Sequence, residues 1–259
     1  LPLGVFGVAL GTVTLPALAR HHFSKDVEGF SKLLDWGLRI TLLISVPAML
    51  ALLFLSEPIV ATLFEHGRFT AFDARMSTLS IMALSCGLPA FALVKILLPA
   101  FYARQDTRTP MKAAILTLVT NMLFNALFVA LLYQWWASPA LRQGSWLAGI
   151  ARVPGLHIAI CIASVVSSYF QFALLWRWLK VAGVYQRQPG WFKHWLRLGV
   201  SCAAMVLVLV LGRLLWPDWT HAPVFTRVWH LAVLVVAGAT AYVVSMVAGG
   251  FRMRELRGA

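Results

Sequence analysis

Charge is what this sequence has least of. Only 12% of its 259 residues are charged, about half the share of an ordinary soluble domain. So little charge cannot cover a water-exposed surface, which excludes a soluble globular fold for most of the chain. Acid is the scarcer sign: nine Asp and Glu stand against 22 Lys and Arg, for a net charge of +13. The three cysteines, Cys86, Cys161 and Cys202, lie inside apolar runs, with no CxxC or Cys/His metal spacing. Walker, GxSxG, HExxH and dinucleotide motifs are absent, so ATP-driven or hydrolytic chemistry has no support and no cofactor or metal is expected. The chain also lacks an initiator Met. It opens inside an apolar run, Leu1 to Leu10, with neither the basic start nor the cleavage site of a signal peptide. Leu1 therefore reads as a truncation point within a longer protein.

What is present is hydrophobic: 60% of residues, with a mean hydropathy of +0.79. Seven apolar stretches fall at about 1–19, 37–56, 74–102, 112–134, 155–179, 196–216 and 228–250. All but the first have the length of a bilayer crossing. In lipid each segment must satisfy its own backbone, so helices are expected, and the runs are too long and too uniform for barrel strands. The expected fold class is an all-α, polytopic transmembrane bundle of about seven helices. The short apolar piece Pro58–Phe64 is expected to form a separate interfacial helix. The stretch from Trp135 to Pro154 is expected to be an outer surface loop.

Basic residues divide the loops. Arg20, Lys25 and Lys32, then Arg104, Arg108 and Lys112, then Arg177 through Arg197, then Arg252, Arg254 and Arg257 fall on alternate connections. The other connections hold fewer: Arg68, Arg75, Arg142, Arg152, Arg213 and Arg227. The positive-inside rule places the C-terminus in the cytoplasm. The net charge is thus topological, with some attraction to anionic membrane lipids, and nucleic acid is not an expected partner. Trp135, Trp136, Trp146, Trp191, Trp195, Trp216 and Trp219 sit at run ends, where indole rings meet headgroups.

Several polar residues are candidates for function. Lys95 lies within an apolar run between Pro89 and Pro99. A charge there either faces a cavity or snorkels to the interface. Asp35 and Arg39, at i and i+4, share a face, and an exposed interfacial ion pair is the favoured reading. Gly4, Gly7 and Gly11 line one side of the first helix, where they allow close packing or leave room for a ligand. Asn121 and Asn125, again at i and i+4, suit hydrogen bonding between helices or a substrate contact. His21-His22 reads as an ordinary loop pair. Asp73, Asp218 and His221 are available to a membrane-embedded transferase but form no constellation.

The stretch Phe101-Tyr-Ala-Arg-Gln-Asp-Thr-Arg-Thr-Pro110 with Lys95 resembles the cytoplasmic loop of the MurJ (MviN) lipid II flippase family. Leu3 to Thr12 with Leu15-Pro16, Asp35-Trp36-Gly37-Leu38-Arg39, Gly67 to Asp73, and Gln188-Pro189-Gly190-Trp191 are similar to other family segments, in the family's order. The resemblance implies the fold of the MOP exporter superfamily: two six-helix lobes plus two C-terminal helices. This chain would begin partway through the eighth helix. Residues 1–180 would be the second lobe, truncated at its start, and 181–259 the two C-terminal helices with a cytoplasmic tail. The implied function is a transporter, not an enzyme, in the bacterial inner membrane. It moves lipid II, an undecaprenyl-diphosphate-linked peptidoglycan precursor, by alternating access against a first lobe absent here. The implied partners are lipid II or a related glycolipid, membrane lipids, and that first lobe. Gly4, Gly7, Gly11, Lys95, Asn121 and Asn125 become cavity candidates. Asp35, Arg39, Arg104, Asp106, Thr107 and Pro110 become loop or gating candidates. The family's cavity arginines lie upstream of Leu1, and Arg39 is not one of them. The alternatives are another exporter of lipid-linked oligosaccharide in the same superfamily, and a membrane-embedded glycosyl- or acyltransferase. A cation exporter would place acids inside its helices, and the nine acids here lie at loops and helix ends.

Overall fold

The computed structural model describes residues 2–64, 69–137, 153, 155–216, 219 and 222–251, and for residues 2–10 and 13 the backbone alone. The expected outer loop falls almost wholly outside these residues, as do Glu65–Arg68, Asp218, His221 and the basic C-terminal tail. The described residues contain eight helices and no strand: α1 (Pro2–Phe23), α2 (Val27–Leu63), α3 (Ala71–Ser85), α4 (Leu88–Tyr102), α5 (Arg108–Trp136), α6 (His157–Val181), α7 (Trp191–Leu215) and α8 (Val224–Ala248). Five of them are long and apolar enough to cross a membrane, and α3 with α4, bent by 41° at their junction, reach that length and apolarity as a pair. The protein is a multi-pass membrane helical bundle.

Two expectations need correction. The third apolar stretch is two helices rather than one. Pro89 has no N–H to give the carbonyl of Ser85, so the helical ladder opens at Cys86-Gly87. The carbonyl of Cys86 instead accepts the Tyr169 hydroxyl of α6 at 2.9 Å. Second, Pro58–Leu63 is not a separate interfacial helix but the end of α2, which runs unbroken for 37 residues. At 1.5 Å per residue that is about 55 Å, far more than a hydrocarbon core of about 30 Å. It continues through Pro58, and Arg213 of α7 donates to Phe54 O at 3.1 Å. That is the carbonyl Pro58 leaves open.

The long α2 is the spine. α1, α3, α4, α7 and α8 all pack on it, while α6 packs on α3, α4 and α5. One buried cluster joins Leu34 and Leu38 of α2, Ile96, Leu97 and Phe101 of α4, Leu175 and Leu179 of α6 and Leu198 of α7. A second, nearer the other end, joins Leu55, Met205, Leu209, Trp219 and Leu234. Exposed hydrophobics such as Leu118 and Met122 on α5, Leu211 on α7 and Val236 on α8 cover the outside. An apolar exterior is what lipid selects.

Packing also sorts the connections. Arg104, after α4, shares a small cavity with His21 in the last turn of α1, with Lys25 between α1 and α2, and with Gly183, after α6. At the opposite end Arg227 of α8 reaches Ala61 O of α2 at 3.0 Å, and His157 of α6 meets Met76 O of α3 at 3.2 Å. The basic connections thus gather at one end of the bundle.

Candidate functional site

The most concentrated polar structure lies at that basic end and centres on Asp35, about two turns into α2. Its side chain is only 4% exposed, so the pair with Arg39 is not the exposed interfacial ion pair expected from sequence. Three donors converge on the carboxylate. Arg39 Nε reaches Oδ2 at 2.7 Å, while Tyr185 OH and Trp191 Nε1 reach Oδ1 at 2.5 and 2.8 Å. A buried carboxylate is tolerable when its lone pairs are filled in this way. Arg39 also donates from Nη2 to Pro189 O at 2.7 Å and lies 5.1 Å from the centre of the Trp191 ring, within cation–π range.

One turn earlier, Ser31 makes a reciprocal pair with Gln186. Its hydroxyl donates to Gln186 O at 2.8 Å and accepts from Gln186 N at 2.8 Å. Together these bonds staple the 184–190 connector along the basic end of α2. The connector turns at Gly183 (φ +67°) and at Gly190 (φ +93°), which caps α7. Only glycine takes that conformation without strain, and a Cβ on Gly190 would stand 3.4 Å from an Arg39 guanidinium nitrogen. The Tyr185 phenol is raised above its ordinary pKa, first by burial and then by its hydrogen bond to Asp35.

Two cavities flank this clamp. One, of about 820 Å³, lies between α2, the connector and the start of α7, lined by Lys32, Arg39, Lys193, His194 and Arg197 over Leu33, Ile40 and Leu43. The other, of about 540 Å³, is walled by apolar and aromatic residues including Met49, Phe172, Trp176 and Trp195, with Lys180 and Arg187 among its lining.

The α4–α5 turn holds Arg104, Asp106, Thr107 and Pro110. Gln105 takes a left-handed conformation (φ 59°), and Asp106 Oδ1 then accepts from Thr109 N at 3.0 Å. That bond satisfies a donor in the first turn of α5, where Pro110 needs no N–H partner. Hydrogen bonds from Thr109, helped by the Arg104 charge, hold the Asp106 carboxyl below its ordinary pKa. At the α1–α2 turn, Asp26 accepts from Gly29 N at 2.8 Å and pairs with His21 Nδ1 at 2.9 Å. These lower its pKa in that order.

The cavity candidates are less concentrated. Gly4 and Gly7 lie on α1, where only the backbone is described. Gly11 faces α4: a Cβ there would stand 3.6 Å from the carbonyl of Lys95 and 3.8 Å from Pro99, ordinary contact distances. Lys95 itself is half-buried on α4, and Pro99 removes the N–H that would close on its carbonyl. Asn125 Nδ2 donates to Asn121 Oδ1 at 3.0 Å, so this bond runs along α5 rather than between helices. Asp73, a transferase candidate, is engaged in a capping box with Thr70 and heads no cluster. Among the described residues no group of three His, Cys, Asp or Glu side chains could hold a metal.

Sequence reasoning missed Tyr185 and Trp191 as partners of α2, and Ser31 as the α2 residue that holds Gln186. The long-range pairing had no local signal, and Trp191 reads as an interface anchor.

The family described as Lipid II flippase MurJ matches residues 1–230. The chain belongs to the MurJ family. The lipid II flippase MurJ of Burkholderia cenocepacia is 36% identical, covering 99% of this chain and 45% of that protein. The probable lipid II flippase MurJ of Vibrio cholerae serotype O1 is 33% identical, covering 100% of this chain and 45% of its own length. That of Rhizobium meliloti is 34% identical, with shares of 99% and 44%. The chain therefore spans under half the length of the MurJ proteins it matches. The matched family region ends near the start of α8, but the B. cenocepacia and V. cholerae alignments take in nearly the whole chain.

Proposed function

We propose that this chain is the second part of a bacterial inner-membrane flippase for lipid II or a closely related polyprenyl-diphosphate glycolipid. The observation that carries this reading is the similarity of nearly the whole chain to lipid II flippases, on a bundle of apolar helices with its cations gathered at one end. That end faces the cytoplasm by the positive-inside rule, and the C-terminus lies there too. Transport is alternating access, in which α1–α6 act as one lobe against a partner lobe of similar size and α7–α8 form the C-terminal addition. On this reading α1 lines the shared cavity through Gly4, Gly7 and Gly11, and Lys95 stands behind Gly11 on α4. Asn121 and Asn125 are weaker cavity candidates. Asp35 and Arg39, with Arg104, Asp106, Thr107 and Pro110, fix the cytoplasmic turns that hold the lobe's inner end together.

The test is complementation. The full-length protein containing this chain is expressed in cells depleted of their own lipid II flippase. Growth should be restored, and lipid II should become accessible to an externally added cleaving toxin. Membrane-inserted protein with neither effect would refute the reading.

A further inference from the structure

The larger of the two cavities has a chemistry that the clamp does not use. Six basic side chains, His21, Lys32, Arg39, Lys193, His194 and Arg197, line it with one carboxylate, Asp35. Of these, Lys32 pairs with Glu28 at 2.6 Å and Arg39 with Asp35 at 2.7 Å. Lys193 and Arg197 stand at i and i+4 on the first turns of α7, so they share a face. The first turn of α7 carries no side-chain cap, and its free N–H groups add positive potential at the same place. Behind the cations the wall is apolar, with Leu33, Ile40 and Leu43 of α2.

A cationic mouth over an apolar wall suits a ligand with a phosphate at one end and hydrocarbon next to it. We propose that this cleft binds an anionic glycerophospholipid, with its phosphodiester between Lys193 and Arg197 and the first part of an acyl chain along α2. Free phosphate would leave the apolar wall unused. The cleft's size, about 820 Å³, exceeds what a lone phosphate fills. The inference rests on the basic end lying at a membrane surface, and not on lipid II being the transported molecule.

The experiment counts lipid bound to the intact full-length protein by mass spectrometry, in a neutral detergent, as phosphatidylglycerol is titrated. One tightly held lipid is expected. Lys193→Gln with Arg197→Gln should raise the half-saturating concentration about 25-fold, from about 5-fold per surface cation. Arg20→Gln with Lys112→Gln, which removes two cations at the same end but outside the cleft, should leave it unchanged. Lys193 is solvent-exposed, so Lys193→Gln alone guards against misfolding of the double variant and should weaken binding about 5-fold. Lys193→Arg should restore it. Equal affinity in the wild type and in Lys193→Gln would overturn the proposal, as would equal binding of phosphatidylcholine. Displacement by millimolar inorganic phosphate would make this a plain anion site. Displacement by undecaprenyl phosphate at matched concentration would make it a polyprenyl-phosphate site. Either result would overturn the glycerophospholipid assignment. Binding is read without transport, so failed complementation and failed binding are separate outcomes.

Discussion

Tyr242 of α8 donates its hydroxyl to the main-chain carbonyl of Leu43 at 2.7 Å, and Leu43 is the residue four before Pro47. Proline has no N–H to close that turn, and a bilayer offers no water to take the open carbonyl. The same repair recurs lower on α2, where Arg213 takes the Phe54 carbonyl opened by Pro58, and its other guanidinium nitrogen pairs with Glu57. The two C-terminal helices therefore supply what the prolines of α2 remove. They are joined to the spine by directed bonds as well as by apolar contact.

Tyr242→Phe should lower the stability of the full-length protein by about 1 kcal/mol, since it leaves a buried acceptor unpaired. Pro47→Ala restores the helical N–H to Leu43, so in that background Tyr242→Phe should cost close to nothing. Thermal unfolding of the four proteins of this cycle measures the coupling. Equal costs in the two backgrounds would show that the hydroxyl serves something other than the proline gap.

Asp35→Asn should be the most damaging single change at the basic end. It strips Arg39 of its counter-charge inside a nearly closed cluster, and breaking such a pair costs about 3 kcal/mol. Amide exchange in residues 184–190 should speed up strongly, because the connector hangs on this cluster. Tyr185→Phe removes one donor of three and should have the smaller effect. The reverse ranking would shift the weight of the clamp from charge to the phenol.

The helices were legible because lipid imposes a simple rule: long apolar runs, with charge between them. Seven stretches were readable, and the same stretches hold the eight helices among the described residues. The misread positions share one cause. A proline is a local signal, but whether it breaks a helix depends on packing that the sequence does not show: α2 runs on through Pro58 and α4 through Pro99, while the break falls before Pro89. Arg213 takes the carbonyl that Pro58 leaves open. The Tyr169 hydroxyl takes the Cys86 carbonyl exposed at the break, and α3 and α4 stay separate. The Asp35 site was half legible. Asp35 and Arg39 share a helix face by spacing alone, but Tyr185 and Trp191 lie about 150 residues away. Only the folded packing of α2 against the connector brings them in and buries the carboxylate.

Asp106 sets a pH dependence at the α4–α5 turn. Its folded pKa is depressed by the Thr109 hydrogen bonds and the Arg104 charge. The cap is therefore fully present above the ordinary carboxylate pKa and is lost as pH falls through the lowered one. The Thr109 amide should become exchange-labile in strong acid and stay protected near neutrality. In Asp106→Ala, its exchange should be faster at neutral pH and should no longer show an acid-dependent step. An unchanged acid step in that variant would assign it to another group.

Gly238 of α8 sits directly under Leu209 of α7. A Cβ at 238 would stand 2.9 Å from one Leu209 methyl, 3.3 Å from its branch carbon and 3.6 Å from Met205. Leu209 is 1% exposed and belongs to the buried cluster with Leu55 and Met205, so shifting it disturbs that cluster. One turn further along α7, Gly212 receives Leu234 of α8 in the same manner, so each helix places a leucine on the other's glycine. Close approach of this kind is a main source of helix association in lipid. Gly238→Ala should therefore cost about 1–3 kcal/mol by overpacking, although alanine favours a helix more than glycine does. Leu209→Ala alone should also destabilise, by leaving a cavity. The double variant should recover part of the loss, because each change relieves the other. Thermal unfolding of the three variants decides it. If Gly238→Ala instead stabilises, helix propensity outweighs packing here, and α7 and α8 have enough freedom to slide apart.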